Sequence, residues 1–140
     1  MNRITGADVI AFVEAGLWGG KRQFGPASAL GFANDTGIVA GVVFHNWEPD
    51  SGVIELSSYS GRRSWLTKGR LHEVFGYAFN GLGLRMCIAR TAADNARVVR
   101  IWRALGASQH RLPDLRGEGQ DEIVCLLRKQ DFYNKFPEAS

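Results

Sequence analysis

Asp94-Asn95-Ala96-Arg97-Val98-Val99-Arg100-Ile101-Trp102-Arg103-Ala104-Leu105-Gly106 decides how this chain is read. Val98, Ile101, Trp102 and Leu105 recur at helical spacing, and Gly106 follows them as a stop. Asp94 or Asn95 supplies the short, oxygen-bearing side chain that opens a helix. Leu84 to Arg90, with Met86-Cys87-Ile88 as its apolar centre, reads as a strand before the helix, and Glu122 to Arg128 as a strand after it. A strand–helix–strand crossover implies helices packed on a sheet that is not purely antiparallel.

Upstream lies a second helical pattern, Leu71, Val74, Phe75, Ala78 and Leu82, ended by Gly81 and Gly83. A basic, glycine-containing loop, Ser60 to Gly69, leads into it. Three strands precede that loop. Ala27 to Ala33 and Ile38 to Trp47 are joined by the hairpin-type turn Asn34-Asp35-Thr36-Gly37. Val53 to Tyr59 follows the turn Glu48 to Gly52, and its side chains alternate between two faces. Near the N-terminus, Thr5-Gly6-Ala7-Asp8 reads as a capping box. Val9, Ile10, Phe12, Val13 and Leu17 then make a short amphipathic helix closed by Gly19-Gly20. Arg111 to Gln120, with Pro113, Gly117 and Gly119, reads as a mobile loop.

The expectation is one α/β (α+β) domain over residues 1–140: a mixed, mostly antiparallel central sheet with helices on both faces. Within it, 1–26 is a shortened helical region, 27–59 an antiparallel meander, 60–128 a ligand-binding core and 129–140 a tail. The 140 residues suit a single core, and 45% hydrophobic with 22% charged residues is ordinary globular composition. No apolar run is long enough for a membrane span, and Met1 to Gly6 lacks signal-peptide architecture, so a cytoplasmic protein is expected. Cys87 and Cys125 have neither disulfide-scaffold nor zinc spacing and read as buried thiols. The formal charge of +3 fits a polyanionic ligand without requiring one.

The run from Ala92 to Gly106, with Asn95, Ala96, Arg100, Trp102 and Leu105-Gly106-Ala107 in register, resembles the GNAT acyltransferase superfamily. The hairpin and the basic loop-to-helix turn also fall in GNAT order, from about Ala27 to about Arg128. The turn Trp65-Leu66-Thr67-Lys68 is similar to that of a phage- and prophage-associated subgroup. The resemblance implies acetyl-CoA, or another acyl-coenzyme A, as co-substrate. It further implies transfer of the acyl group to an amine of a small molecule, a protein or a nucleic-acid base, in a protein able to form a homodimer. A Mom-like phage enzyme that modifies nucleic acid, or a non-catalytic binding module, are the alternatives.

It also implies roles for residues. The helix after the basic loop would point its N-terminus at the coenzyme A pyrophosphate, where unpaired N–H groups suit an anion. Arg63 takes the first position of the family's (Gln/Arg)-x-x-Gly-x-Gly/Ala loop. Leu66 and Lys68 stand where small residues are usual, and Gly69 comes one step late. Either the loop is re-registered around Gly69, or Arg62, Arg63 and Lys68 supply charge through their side chains, with Trp65 and Thr67 in the same turn. Leu56, Ser57 and Ser58 would offer backbone groups to the pantetheine and to an oxyanion. Asn95 is either a pantetheine contact or a helix cap. Trp102 holds the place of the tyrosine that many relatives use as an acid, and its indole N–H is too weak an acid for that. Tyr59 and Ser57 are substitutes, and Glu55 ahead of His45 is the candidate base. Trp47 and Trp65 would flank the cleft, and Arg97, Arg100 and Arg103 share one face of the motif helix.

Overall fold

The computed structural model describes residues 1–139, and of Arg63 only the backbone. Seven strands form one sheet: β1 (Asn2–Thr5), β2 (Ala27–Asn34), β3 (Gly37–Glu48), β4 (Val53–Ser60), β5 (Met86–Ala92), β6 (Ser108–Gly117) and β7 (Gln120–Arg128). Their order across the sheet is β1-β2-β3-β4-β5-β7-β6, and only β4–β5 is parallel. The helices are α1 (Ala7–Trp18), α2 (Lys68–Gly76), α3 (Ala96–Leu105) and α4 (Lys129–Lys135). The expected mixed sheet is present, but its strand–helix–strand crossover between neighbouring strands is β4–α2–β5, the parallel pair; β7, which follows α3 and β6, runs antiparallel to β5.

Strand alternation sorts the side chains onto two cores. On one face Val9 and Val13 of α1 pack on Ala29 and Val43. Glycines 31 and 41 let α1 come close, since a Cβ at either would fall 2.8 Å from a valine methyl of that helix. On the other face Phe32, Val42, Phe44, Ile54 and Leu56 meet Val74, Phe75 and Phe79 from the α2 segment and Phe132 from α4. Cys87 and Cys125 are buried free thiols, and burial pushes the Cys87 thiol far above the ordinary range.

Four expectations are corrected. Thr5 does not cap α1. It ends β1, a strand of four residues too short to show a period, and Gly6 caps the helix through its backbone with no side-chain bond. Arg111 to Gln120 is an edge hairpin rather than a loop. Pro113 is tolerated where the β6–β7 register breaks between Leu112 and Gly117, because an edge strand needs fewer N–H donors. The tail 129–140 contains α4, anchored by Phe132, which is fully buried. The second helix does not run unbroken to Leu82: after Gly76 it widens into a π turn over Tyr77–Gly81.

Candidate active site

β4 and β5 pair only at Val53–Met86, Ile54–Cys87 and Glu55–Ile88. Beyond that point β4 bonds only to β3, and β5 only to β7, so the sheet opens as a wedge. A cavity of about 310 Å³ occupies the wedge. Leu56, Ser58, Ala89 and Thr91 line it on the α2 side, together with Trp65, Leu66, Phe75, Asn95 and Trp102. Ser57, Arg90, Leu17 and Arg116 line it on the α1 side. The cavity therefore runs through the sheet.

The β4 backbone bordering the opening follows from the ladder. Gly61 donates to the Val39 carbonyl, which makes Tyr59, Ser57 and Glu55 the residues whose backbone groups bond β3. Leu56 and Ser58 then turn their N–H and C=O groups into the wedge. Ser57 commits its backbone to β3 and contributes its side chain instead. This corrects the expectation of three equivalent backbone donors.

The Ser57 hydroxyl leads to a buried histidine. His45 Nε2 lies 2.8 Å from Ser57 Oγ and 3.8 Å from Glu55 Oε2. Register explains the cluster, because His45 pairs with Glu55 across the β3–β4 ladder and Ser57 is the next residue on that face. Asn46 Nδ2 holds Glu55 Oε1 at 2.9 Å. Phe24 covers the imidazole, with ring centroids 4.7 Å apart. Burial pulls the His45 pKa below its usual value, and the Glu55 charge opposes this less strongly. A neutral His45 can accept the Ser57 O–H through Nε2. Neither His45 nor Glu55 borders the cavity itself; Ser57 connects them to it. Tyr59 is placed elsewhere. Its ring lies against Gly16 and 5.5 Å from Phe12 under α1, outside the cavity lining.

Asn95 is the helix cap, and it stands at the cavity. Its side chain accepts from Val98 N at 3.4 Å at the start of α3. Of the expected stripe on α3 only Leu105 is buried; Val98, Ile101 and Trp102 are half-buried because they face the cavity. Trp102 meets Phe75 edge-on at 5.7 Å. Trp65 is 7% exposed and packs beside Phe32, whereas Trp47 is exposed and away from the cleft.

The seat at the start of α2 differs most from expectation. Thr67 caps the helix by accepting from Arg70 N at 3.3 Å. Arg70 is turned back to the Trp65 carbonyl and the Phe32 ring. Lys68 is bound by Glu138 of the C-terminal turn at 2.6 Å, and this bond holds the Glu138 carboxyl below its usual range. Lys68 is thus not an uncommitted charge for a phosphate, while Arg62 is exposed and the Arg63 side chain lies outside the described residues. A Cβ at Gly69 would meet only the Thr67 hydroxyl, at 4.0 Å, so no neighbouring part of this chain requires a glycine there. The open β4 edge and Asn95 present the kind of polar groups a pantetheine arm would bind, and at the start of α2 the Lys68 charge is paired with Glu138.

Among the described residues no cluster of His, Cys, Asp and Glu is arranged to hold a metal ion, and no helix is long and apolar enough to cross a membrane.

No protein-family model and no curated protein matches the chain. Solved structures do. A point mutant of the spermidine N-acetyltransferase SpeG from Vibrio cholerae aligns at 10% identity over 97% of this chain and 99% of that one, with a TM-score of 0.78. The manganese complex of SpeG aligns at 13% identity over 78% and 69%, TM-score 0.67. A structure assigned only as an acetyltransferase aligns at 18% identity over 92% and 68%, TM-score 0.70. The chain has the GNAT fold, shared with these acetyltransferases over nearly its whole length in the first alignment.

Proposed function

We propose that the chain is an acyl-coenzyme A-dependent N-acyltransferase, with acetyl-CoA as the donor. The observation that carries this reading is the β4–β5 wedge with its through-going cavity. The fold of the acetyltransferase neighbours supports it.

Acyl-coenzyme A supplies an activated carbonyl when bound. The Leu56 and Ser58 edge hydrogen-bonds the pantetheine arm, and one of its N–H groups stabilises negative charge developing on the acyl oxygen. Asn95 and Trp102 hold the arm from the α3 side. On the opposite side the amine approaches Ser57. Its proton passes to the Ser57 hydroxyl as that hydroxyl gives its own to His45 Nε2. Glu55 then faces a protonated imidazole and stabilises it. The leaving thiolate recovers a proton from water or from this same relay. Tyr59 has no part in the transfer.

Calorimetry with acetyl-CoA tests the reading. Saturable binding is expected; no heat at millimolar ligand contradicts it.

Exposed Arg100 and Arg103 on α3 favour a second reading, a phage-type enzyme acting on nucleic acid. It requires salt-sensitive binding to DNA or RNA, and indifference to both at low salt removes it. A cytoplasmic setting and pairing of two copies accompany the first reading.

A further inference from the structure

The acceptor side of the wedge holds a charged group that the transfer itself does not use. Glu122, on β7, is 2% exposed. Both of its oxygens are taken by arginines. Arg90 donates from Nε at 2.9 Å and from a terminal nitrogen at 2.8 Å to Oε2, and Arg116 donates at 2.8 Å to Oε1. Two guanidiniums on one carboxylate leave a surplus of one positive charge.

One arginine would suffice to neutralise a buried glutamate. Here there are two, from β5 and from the β6 edge, with side chains 45% and 42% exposed. Both border the cavity. Each guanidinium has N–H groups beyond those Glu122 takes. Glu122 orients Arg90 through two donors and tethers Arg116 through one, so less side-chain entropy remains to be lost on binding an anion. The position is also informative. Glu55 pairs with Ile88 where the strands last touch, and Ser57 and Arg90 are each two residues further along the same face. Arg90 thus stands across the open wedge from the Ser57 hydroxyl. The hydrogen bond to Glu122, and more weakly the charges of Glu122 and Glu55, raise the pKa of a guanidinium that is already always charged.

We propose that Arg90 and Arg116, braced by Glu122, seat an anionic group of the acceptor, so that the acceptor is a small amine bearing a carboxylate, such as an amino acid. This inference rests on the acyltransferase reading for its reaction. The surplus of a single charge matches a carboxylate, and the planar guanidinium edges suit two-point contact with it. The amine end of the same molecule faces Ser57, with His45 and Glu55 behind. A polyamine would place positive charge against the arginines and is disfavoured.

The wild-type protein with acetyl-CoA is assayed for coenzyme A release against the standard amino acids, their amides, the corresponding decarboxylated amines, aminoalkyl phosphates and spermidine. At least one amino acid is expected to exceed its own amide by about 10- to 100-fold in kcat/KM. Arg116→Gln should raise the KM for that amino acid about tenfold or more and leave the KM for acetyl-CoA unchanged, with Arg116→Lys restoring part of the loss. Amides, spermidine or aminoalkyl phosphates turning over as well as the amino acids would overturn the carboxylate assignment. Because loss of a Glu122 partner can unfold the chain, the seat is also read without mutation. Titration with the amino acids should shift the side-chain Nε–H resonances of Arg90 and Arg116 saturably, and no shift with any of them overturns the seat. Failure of acetyl-CoA to bind sinks the acyltransferase reading instead, and is seen separately by calorimetry.

Discussion

The two sides of the β4–β5 wedge are built from alternate residues of the same strands, yet they differ in kind. The α2 side is apolar and offers backbone: Leu56, Ser58, Ala89 and Thr91 with Trp65, Phe75 and Trp102 around them. The α1 side is polar and offers side chains: Ser57 backed by His45 and Glu55, and Arg90 and Arg116 on Glu122. A period of two residues suffices to separate the wall proposed to bind the donor from the one proposed to react. Backbone groups bind a conserved chemical arm through any side-chain sequence, whereas acceptor chemistry must be written in side chains. The split between them needs only that β5 leave β4 after Ile88.

The largest expected effect lies on the reactive side. His45→Gln should lower kcat by about 10²- to 10⁴-fold with acetyl-CoA affinity unchanged, measured by steady-state kinetics and calorimetry. An equal loss in acetyl-CoA affinity would show that the two walls are not separable. In the wild type, kcat at saturating substrates should fall on acidification. Protonation below the His45 pKa turns Nε2 into a donor that cannot accept from Ser57. Burial lowers that pKa, so the acid limb should lie below 6.5.

A smaller effect is expected behind that wall. Gly16→Ala would place a Cβ 2.2 Å from the Tyr59 ring, so α1 must shift. The resulting overpacking, about 1–3 kcal/mol, exceeds the gain of roughly 1 kcal/mol from alanine in a helix. Urea unfolding should show a net loss of stability, and Tyr59→Phe should leave turnover near wild type. A stabilised Gly16→Ala protein would mean that α1 does not rest on Tyr59 as described.

The smallest effect concerns the outer end of the donor wall. Glu138→Gln removes the carboxylate that occupies Lys68 beside the start of α2. Coenzyme A affinity should improve by roughly two- to five-fold, more at low salt, by calorimetry. Weaker binding would show that Glu138 organises the seat rather than competing for it.

Legibility in the sequence followed the range of the interactions. Period-two and helical patterns marked the meander and the motif helix but not which strands run parallel, and the residues the resemblance placed at the cleft, Leu56, Ser58, Asn95 and Trp102, border the cavity. The two alternative base candidates, Glu55 and His45, turn out to be cross-strand neighbours, because their pairing follows from one short turn. What the sequence hid was long-range. Arg90 and Glu122 are 32 residues apart, and nothing local marks either as a partner. Lys68 and Glu138 meet only because α4 folds back onto the core through Phe132. β1 was missed because four residues carry too little pattern, and the β6–β7 hairpin because Pro113 and its glycines speak for a loop until β7 supplies a partner strand. Which face Ser57 shows to the cleft depended on the ladder phase set by Gly61 and Val39, and sequence carries no mark of that phase.

The proposed donor site is the open edge of β4, where the backbone of Leu56 and Ser58 would hold the acyl donor. Its most direct measurement is an amide ¹H–¹⁵N spectrum of the wild-type protein during titration with acetyl-CoA. Saturable shifts of one or both of the Leu56 and Ser58 amides are expected, larger than that of Ser57, whose N–H stays bonded to β3. Saturable binding that leaves the Leu56 and Ser58 amides unmoved would contradict it.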